Sequence, residues 1–317
     1  MKRAILALLL LCFAGLACAA YPEKPIRFIL PSAAGGSVDV LMRILAQQLS
    51  VQMGVPFVVE NKPGGAFVPG TMDIVKSAPD GYTLGYGNIV SLAINRSLLS
   101  KIPYDVEKDL TLISNCVQVF NMLAVNNDLP VRSVKELVEY AKKNPGKLSN
   151  GSSGNGTTGH LGGELFKSMT GVEIVHVPYK GSAQAINDLI SGNLQVMFDN
   201  VPSIGPHVKS GRVRGLGVSS PKRAAQFPDI PTISEAVPGY ETNSWGGVIG
   251  PARLPREITL KLNEEIRKAL AAPAVVERYR QLDAEPDAGT PEQFMELVRR
   301  ETPKWAEVVK RSGAKVD

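Results

Sequence analysis

Short strand-like runs alternate with helical stretches along the chain, and this alternation limits the folds that it can adopt. The strand-like runs are Ile26–Leu30, Phe57–Glu60, Thr83–Tyr86, Met122–Val125, Glu173–Val177, Gln195–Phe198, Arg214–Val218 and Trp245–Pro251. The helical stretches are Asp39–Met53, Gly70–Ser77, Ser133–Lys143, Leu161–Met169, Ser182–Ser191, Arg256–Ala271, Pro273–Leu282 and Pro291–Ser312. Repeated strand–loop–helix units predict an α/β fold.

Residues 1–20 have the pattern of a secretory signal peptide. Two basic residues, Lys2 and Arg3, precede the apolar run Ala4–Ala14, and small residues follow it. This run is too short to span a bilayer as an ordinary anchor, so we expect a cleaved signal and an exported, periplasmic mature chain. Lipid attachment at Cys18 is the alternative.

Removal of the signal would leave Cys116 as the only cysteine, which excludes an intramolecular disulfide. Its apolar neighbours predict a small buried side chain rather than a nucleophile. The chain has 35 basic and 30 acidic residues without a basic tract, so no nucleic-acid surface is expected. The three histidines, His160, His176 and His207, have no metal-ligand spacing, so no metal site is predicted.

The length of the chain, 317 residues, exceeds what one hydrophobic core comfortably holds, so two lobes are expected. We expect the chain to leave the first lobe along Met122–Val125 and to return along Trp245–Pro251. The predicted division is 21–124 for the first part of lobe 1, 125–242 for lobe 2 and 243–317 for the return to lobe 1. A ligand cleft would lie between the lobes.

The segment Asn150–His160 contains four glycines and four hydroxyl side chains directly ahead of a predicted helix. Glycine allows close backbone approach, and free N–H groups at a helix start favour an anionic ligand. Gly154, Gly156 and Gly159 also match a dinucleotide fingerprint, but Glu173 begins a strand instead of ending one. We therefore predict an anion-binding loop without a nucleotide or other cofactor.

A second glycine loop, Leu30–Asp39, joins the first strand to the first helix. Ser37 is expected as the N-cap, and Asp39 complements the helix dipole. Ligands of open α/β sheets bind at the carboxyl ends of strands, where both loops lie. Pro178–Ser182 and Asp199 follow other strands, and Asp199 is expected either to accept from an amino or hydroxyl group of the ligand or to cap the next turn.

Catalysis by Ser152 or Ser153 with His160 is the rival interpretation, since a serine and a histidine form the core of many hydrolases. The chain has no G-x-S-x-G elbow, and neighbours on one loop seldom reach triad geometry. A secreted hydrolase of a small ester or amide therefore stays an alternative, as does a ligand sensor for a signalling partner. No catalytic residue is predicted.

Unusual strings along the whole mature chain resemble those of the extracytoplasmic receptors of the tripartite tricarboxylate transporter family, often called Bug receptors. The strings are Tyr21-Pro22, Lys24–Arg27, Pro31, Ala34–Gly36 with Asp39, Val59–Gly64, Ala78–Leu84, Pro145–Leu148, Gly151-Ser152, Gly154 with Gly156, His160-Leu161, Val177–Gly181, Pro228–Thr232, and Lys304-Trp305 with Val308–Lys310. The resemblance implies a type II periplasmic-binding-protein fold with two Rossmann-like lobes joined by two crossover strands.

The resemblance also implies a monomeric receptor that captures a small carboxylated solute by lobe closure and delivers it to membrane permease subunits. One carboxylate would be held by two loops, and the implied residues are Ser32, Ala33, Ala34, Gly35, Gly36 and Asp39, with Ser152, Ser153, Gly154, Asn155, Gly156, Thr157, Thr158 and His160. The opposite end of the ligand would meet Ser91, Tyr179, Lys180, Gly181 and Asp199. Where the family usually has an aromatic residue and Pro, this chain has Ser32-Ala33, which would widen the cleft or alter the ligand's distal contact.

Overall fold

The computed structural model describes residues 21–314, so the predicted signal peptide and Cys18 lie outside the described residues. Ten strands form one continuous sheet. They are β1 (Ile26–Leu30), β2 (Phe57–Asn61), β3 (Thr83–Asn88), β4 (Leu110–Val125), β5 (Leu148–Ser152), β6 (Ile174–Pro178), β7 (Val196–Asn200), β8 (Arg214–Val218), β9 (Asn243–Pro251) and β10 (Glu285–Pro286). The expected α/β architecture is confirmed.

Helices connect most of these strands. They are α1 (Ser37–Met53), α2 (Val68–Val75), α3 (Asn95–Leu98), α4 (Val106–Asp109), α5 (Val134–Lys143), α6 (Thr158–Thr170), α7 (Ser182–Ser191), α8 (Val201–Lys209), α9 (Arg256–Ala271), α10 (Pro273–Gln281) and α11 (Pro291–Ser312). Short 3-10 turns occupy Gly65–Phe67 and Ile233–Glu235, and a π-helical turn occupies Val90–Ile94.

The sheet has two halves that share strand β4. In the first half the order is β2-β1-β3-β9-β4, with β1 parallel to β2 and β3 and with β9 antiparallel to β3 and β4. In the second half β4 pairs antiparallel with β7 and β8, while β5 runs parallel to β6 and β7. Each half with its covering helices is called a lobe below. The domain boundaries proposed from the sequence stay a prediction.

Each half of the sheet is covered by apolar side chains on both faces. Phe28 and Ile29 are neighbours in β1, yet they belong to two separate clusters because successive side chains of a strand point to opposite faces. In the second lobe, Met122 and Leu123 of β4 divide in the same way. Helix α11 packs against both α6 of the second lobe and β4, so it spans the junction.

Several elements differ from the sequence-based expectation, among them β4, β5 and α8. Strand β4 has 16 residues, because the run from Leu110 pairs with β9 before it enters the second lobe. Strand β5 was not predicted, since its sequence Leu-Ser-Asn-Gly-Ser has one large apolar residue. Helix α8 was not predicted either, because it contains Pro202 near its start and Pro206 inside it. Asn150–Ser152 therefore belongs to a strand, and only the residues after it form the loop.

Cys116 lies in β4, within the apolar core of the first lobe. Cys116 is a free and fully buried thiol, as expected, and burial raises its pKa to about 12. Between residues 21 and 314, no helix is long and apolar enough to cross a bilayer.

Candidate functional site

A cavity of about 810 Å³ lies between the two lobes. Both glycine loops contribute to its wall: the first loop (residues 31–36) from lobe 1 and the second loop (residues 153–157) from lobe 2. Among the residues predicted from the sequence, those that line the cavity are Ser32, Ala33, Gly36, Ser153, Gly154, Asn155, Thr157, Thr158, Tyr179, Lys180, Gly181 and Asp199. The structure thus brings most of the predicted set to one place.

Five helix starts meet at the wall of this cavity. They belong to α1, α6, α7, α8 and the 3-10 turn that leads into α2, and they contribute Gly36, Thr157, Gly181, Asn200 and Gly65. Within the described chain, no side chain caps the starts of α1, α7, α8 or the 3-10 turn by a hydrogen bond. Each start carries a partial positive charge, so the cavity favours an anion.

The first loop is held from behind by Asp39. The Asp39 carboxylate accepts hydrogen bonds from the Gly35 N–H at 3.0 Å, from Arg43 Nε at 2.9 Å and from Asn61 Nδ2 at 2.9 Å. Burial by itself would raise the pKa of Asp39, but these three donors outweigh it and lower the pKa. Asp39 is engaged within lobe 1 and does not line the cavity.

The expected N-cap of α1 is wrong by one position. Gly36 is the N-cap residue, and Ser37 is the first helical residue. A glycine at the cap leaves the side chain of Ser37 available for other contacts. Ser37 Oγ accepts a hydrogen bond from Asn200 Nδ2 at 3.0 Å, and the Ser37 N–H donates to Ser203 Oγ at 3.1 Å. Both partners lie in lobe 2, so these bonds join the lobes.

The second loop depends on two glycines with positive φ and on one cap. Gly154 has φ of 144° and Gly156 has φ of 78°, conformations that L side chains rarely adopt. Thr157 caps α6, since its side chain accepts from the His160 N–H. The His160 ring accepts from the Gly156 N–H through Nδ1 at 3.0 Å. His160 therefore orders the loop from the protein side and is not in the cavity wall.

Ser152 contacts a histidine other than the one expected. Its Oγ lies 2.7 Å from His176 Nε2, and the His176 ring stacks on His160 with ring centroids 3.9 Å apart. Burial, with help from neighbouring His160, lowers the pKa of His176 to about 3, so both rings pack as neutral groups. Ser152 is fully buried and does not line the cavity. A Ser152–His160 hydrolytic pair is thus wrong in its geometry.

The wall after β6 presents a ring and a cation. The Tyr179 hydroxyl donates to Asp188 Oδ2 at 2.6 Å, so its polar end is occupied and its ring contributes to the wall. Burial, with the hydrogen bond to Asp188, raises the pKa of Tyr179 to about 12. Lys180 is exposed and is the one cationic residue among the described residues of the wall.

Asp199, at the end of β7, is the one acidic residue of that wall. It is 3% exposed, and burial raises its pKa to about 6, although hydrogen bonds from Ser182 and from the Asn200 backbone act in the opposite direction. Its Oδ2 has no hydrogen-bond partner among the described residues.

The lobes touch across the cavity mouth at two further points. A Cβ built on Gly181 of lobe 2 would lie 3.0 Å from Ala33 Cβ of lobe 1. A Cβ built on Gly156 would lie 2.4 Å from Leu98 Cδ2. Together with the bonds of Ser37, these contacts join the two lobes beside the cavity.

Seven predicted residues lie outside the cavity wall: Ala34, Gly35, Asp39, Ser91, Ser152, Gly156 and His160. Ser91 lies directly behind the wall. It is 1% exposed, and its N–H donates to Asn88 Oδ1 at 3.0 Å. Ser91 thereby orients Asn88, which does line the cavity. As ligand contacts, all the predicted site residues stay predictions.

Sequence reasoning missed several polar residues of the wall. Asn88 ends β3, Asn200 ends β7 and Ser244 lies in β9, next to the crossing between lobes. The signal for Asn88 and Asn200 was present in the sequence, because each follows a strand-like run at its carboxyl end. Among residues 21–314, no group of three or more potential metal ligands occurs.

Comparison with known proteins identifies close relatives over nearly the whole chain. The family model described as tripartite tricarboxylate transporter family receptor matches residues 41–314. Protein BugT of Bordetella pertussis is 37% identical over 298 residues, covering 93% of this chain and 91% of that protein. The solved structure of R. palustris Rpa4515 with adipate is 38% identical with a TM-score of 0.91, covering 93% and 100% of the two chains. Periplasmic binding protein BugD is 34% identical with a TM-score of 0.89, covering 93% and 99%.

Proposed function

The chain belongs to the tripartite tricarboxylate transporter receptor family, and on that premise we propose that it delivers a small carboxylate-bearing metabolite to a tripartite tricarboxylate-type permease. The likeness to solved members confirms the type II periplasmic-binding-protein fold. Members of this family are solute-binding receptors and not enzymes. The proposal adds to this the class of solute, capture by lobe closure, export by the predicted signal peptide and delivery to the permease.

The convergence of five helix starts on one cavity between the lobes carries the proposal. An anion held there receives hydrogen bonds from backbone N–H groups, and such charge-assisted bonds are stronger than bonds between neutral groups. The starts of α1 and α6 belong to different lobes, so one carboxylate between them would favour the closed arrangement. The relative solved with adipate supports a carboxylate ligand.

Binding is tested with the mature chain by calorimetry and thermal shift against di- and tricarboxylates. Each acid is paired with its neutral diester or diamide, which keeps the shape and removes the charge. We expect a carboxylate to raise the melting temperature, and we expect mass spectrometry to recover it unchanged. Equal stabilisation by the neutral partners, or chemical turnover of the acid, would contradict the proposal.

Delivery is tested with membrane vesicles that carry a tripartite tricarboxylate-type permease. Uptake of the labelled acid should require the receptor and should increase with receptor concentration. The matched control is a receptor whose lobes are locked together by a disulfide between cysteines introduced at Ala33 and Gly181. Uptake that is independent of the receptor would exclude the delivery step while leaving solute binding intact.

A further inference from the structure

Two residues of the cavity wall have a buried side-chain oxygen without a hydrogen-bond partner among the described residues. They are Ser32, in the first loop, and Asp199, at the end of β7. The two come from opposite lobes. Since burying a polar atom without a partner is costly, a wall that contains two such atoms is incomplete until a ligand supplies their partners.

Asp199 is the more informative of the two, because a carboxylate oxygen needs a donor. It lies in the middle of the lobe-2 sheet, where β7 pairs with β4 on one side and with β5 on the other. Ser182 and the Asn200 backbone donate to the carboxylate, while Oδ2 keeps its free lone pairs. No described cation forms an ion pair with Asp199.

Lys180, the cationic residue of the described wall, does not supply the missing hydrogen-bond donor for Asp199 Oδ2. Lys180 is exposed at the wall and forms no ion pair with Asp199. The helix starts attract negative charge and therefore account for a carboxylate of the ligand, but not for the partner of Oδ2. The missing partner is a donor, and a positively charged one best offsets a buried carboxylate.

We propose, as an extension of the function proposed above, that Asp199 selects acids bearing an ammonium group near the carboxylate, accepts hydroxy acids less well, and disfavours unsubstituted dicarboxylates. The ammonium group donates to Asp199 Oδ2, while the carboxylate meets the helix starts. Ser32 Oγ, on the opposite lobe, donates to a ligand oxygen. The ligand would satisfy both orphan atoms only when the lobes are closed.

The test compares ligands that share one carbon skeleton. Succinate, malate and aspartate differ only in carrying no donor, a hydroxyl or an ammonium group, and adipate with aminoadipate gives a longer pair. Calorimetry on the wild-type mature chain should rank ammonium above hydroxyl above unsubstituted acid, with about tenfold or more between the extremes of a series. An unsubstituted acid that binds as tightly as its amino analogue in both series would overturn the inference.

Asp199→Asn keeps the shape of the side chain and removes the charged acceptor. It should reduce the preference for the amino acid over the unsubstituted acid to about threefold or less. The matched control is Asp128→Asn, which removes an exposed carboxylate from the same lobe and should leave the preference unchanged. A preference that persists in Asp199→Asn would also overturn the inference.

The inference rests on the proposed function, and the two fail in different ways. If no carboxylic acid binds to the wild-type chain, the proposed function itself is wrong. If acids bind without regard to the donor group, the receptor function stands and only the role of Asp199 falls. Because the wild-type ranking alone decides the second point, an Asp199→Asn variant that failed to fold would not block the test.

Discussion

Gly156 shows how one missing side chain allows the lobes to meet. It has a positive φ of 78°, and a Cβ there would lie 2.4 Å from Leu98 Cδ2 on the other lobe. Gly156→Ala should therefore suffer both backbone strain, about 1 kcal/mol, and a clash that appears only on closure. We expect the dissociation constant of the ligand, measured by calorimetry, to rise about tenfold.

Gly146→Ala is the matched control for this variant. Gly146 also has a positive φ, 69°, but a Cβ there would have no atom within 4 Å. This variant should lower the free energy of unfolding by about 1 kcal/mol and leave ligand affinity unchanged. Equal losses of affinity in the two variants would show that strain, and not contact between lobes, is the cause.

The stacked histidines predict a pH dependence of stability. His176 has a pKa of about 3 in the fold against 6.5 as a free side chain, so the unfolded chain binds more protons between these values. Its contribution to stability is complete above about pH 6.5 and is lost as the pH falls toward 3. Asp199, with its pKa raised to about 6, acts in the opposite direction as the pH falls through 6.

His176→Asn should therefore flatten the decline of the free energy of unfolding below about pH 6.5, measured by urea unfolding at a series of pH values. His207→Asn serves as the comparison: burial lowers the pKa of that half-buried ring too, but it lies outside the stacked pair, so we expect this variant to flatten the decline less than His176→Asn does. A decline that is as steep in His176→Asn as in the wild type would assign the pH dependence to other groups.

The sequence predicted which residue types surround the cavity better than it predicted which of their side chains point into it. Many of the glycines and hydroxyl residues that were predicted at two strand–helix junctions lie in the wall of the cavity. The sequence did not predict that the side chains of Asp39 and His160 point away from the cavity. Asp39 is held by Asn61, which is distant in sequence, and His160 is held by the Gly156 N–H, which only the folded loop brings into position. Pattern alone does not state which face of a loop a side chain takes.

At the scale of elements, the cap of α6 links helix stability to the second loop. The Thr157 side chain accepts a hydrogen bond from the His160 N–H at the start of α6, and Thr157 also lines the cavity. Thr157→Ala should lower the free energy of unfolding by about 1 kcal/mol and weaken ligand binding, because the cap also orders the loop. Thermal melts and calorimetry measure the two effects.

Ser133→Ala provides the comparison for Thr157→Ala. Ser133 caps α5 of the same lobe through the same type of bond, to the Glu136 N–H, and lies away from the cavity. We expect Ser133→Ala to lower the free energy of unfolding by a similar amount and to leave the affinity for the ligand unchanged. Reduced affinity in Ser133→Ala would mean that loss of stability alone weakens binding.

Long amphipathic elements were predictable, and short or polar ones were not. The bounds of α11, Pro291–Ser312, were predicted to the residue. Thr290 and Pro291 mark the start of the helix, Gly313 marks its end, and apolar residues recur at helical spacing between them. Strand β5 lacks apolar alternation because Leu194 and Ala185 pack closely on its Gly151, and Gly163 of α6 packs on its Asn150. Tertiary packing, and not local propensity, makes that segment a strand.

At the scale of the whole molecule, a disulfide between the two lobes can hold them in contact. The Cβ atoms at Ala33 and Gly181 would be 3.0 Å apart, slightly less than the span of a disulfide, so a small relaxation admits one. In an Ala33→Cys, Gly181→Cys variant of the mature chain, ligand should speed disulfide formation. Non-reducing electrophoresis measures the yield of the disulfide. The native Cys116 is buried, so we expect it not to form competing disulfides.

The single variants Ala33→Cys and Gly181→Cys control for strain and for intermolecular links. They should form no ligand-dependent bridge within one chain. Cross-linking of the double variant at the same rate with and without ligand would mean that the ligand does not favour closure.

Strand β9 also fixes the order in which the molecule can be assembled. It lies between β3 and β4 at the centre of the first half-sheet, yet it is made after the whole of the second half-sheet. As the chain emerges from its N-terminus, β3 and the first part of β4 lack their shared partner β9 until residue 251 has emerged. By then β7 and β8 can already pair with the end of β4, and β5 and β6 can extend the sheet from β7. We therefore expect the sheet of the inserted lobe to be completed first and the lobe that begins the chain to be completed last.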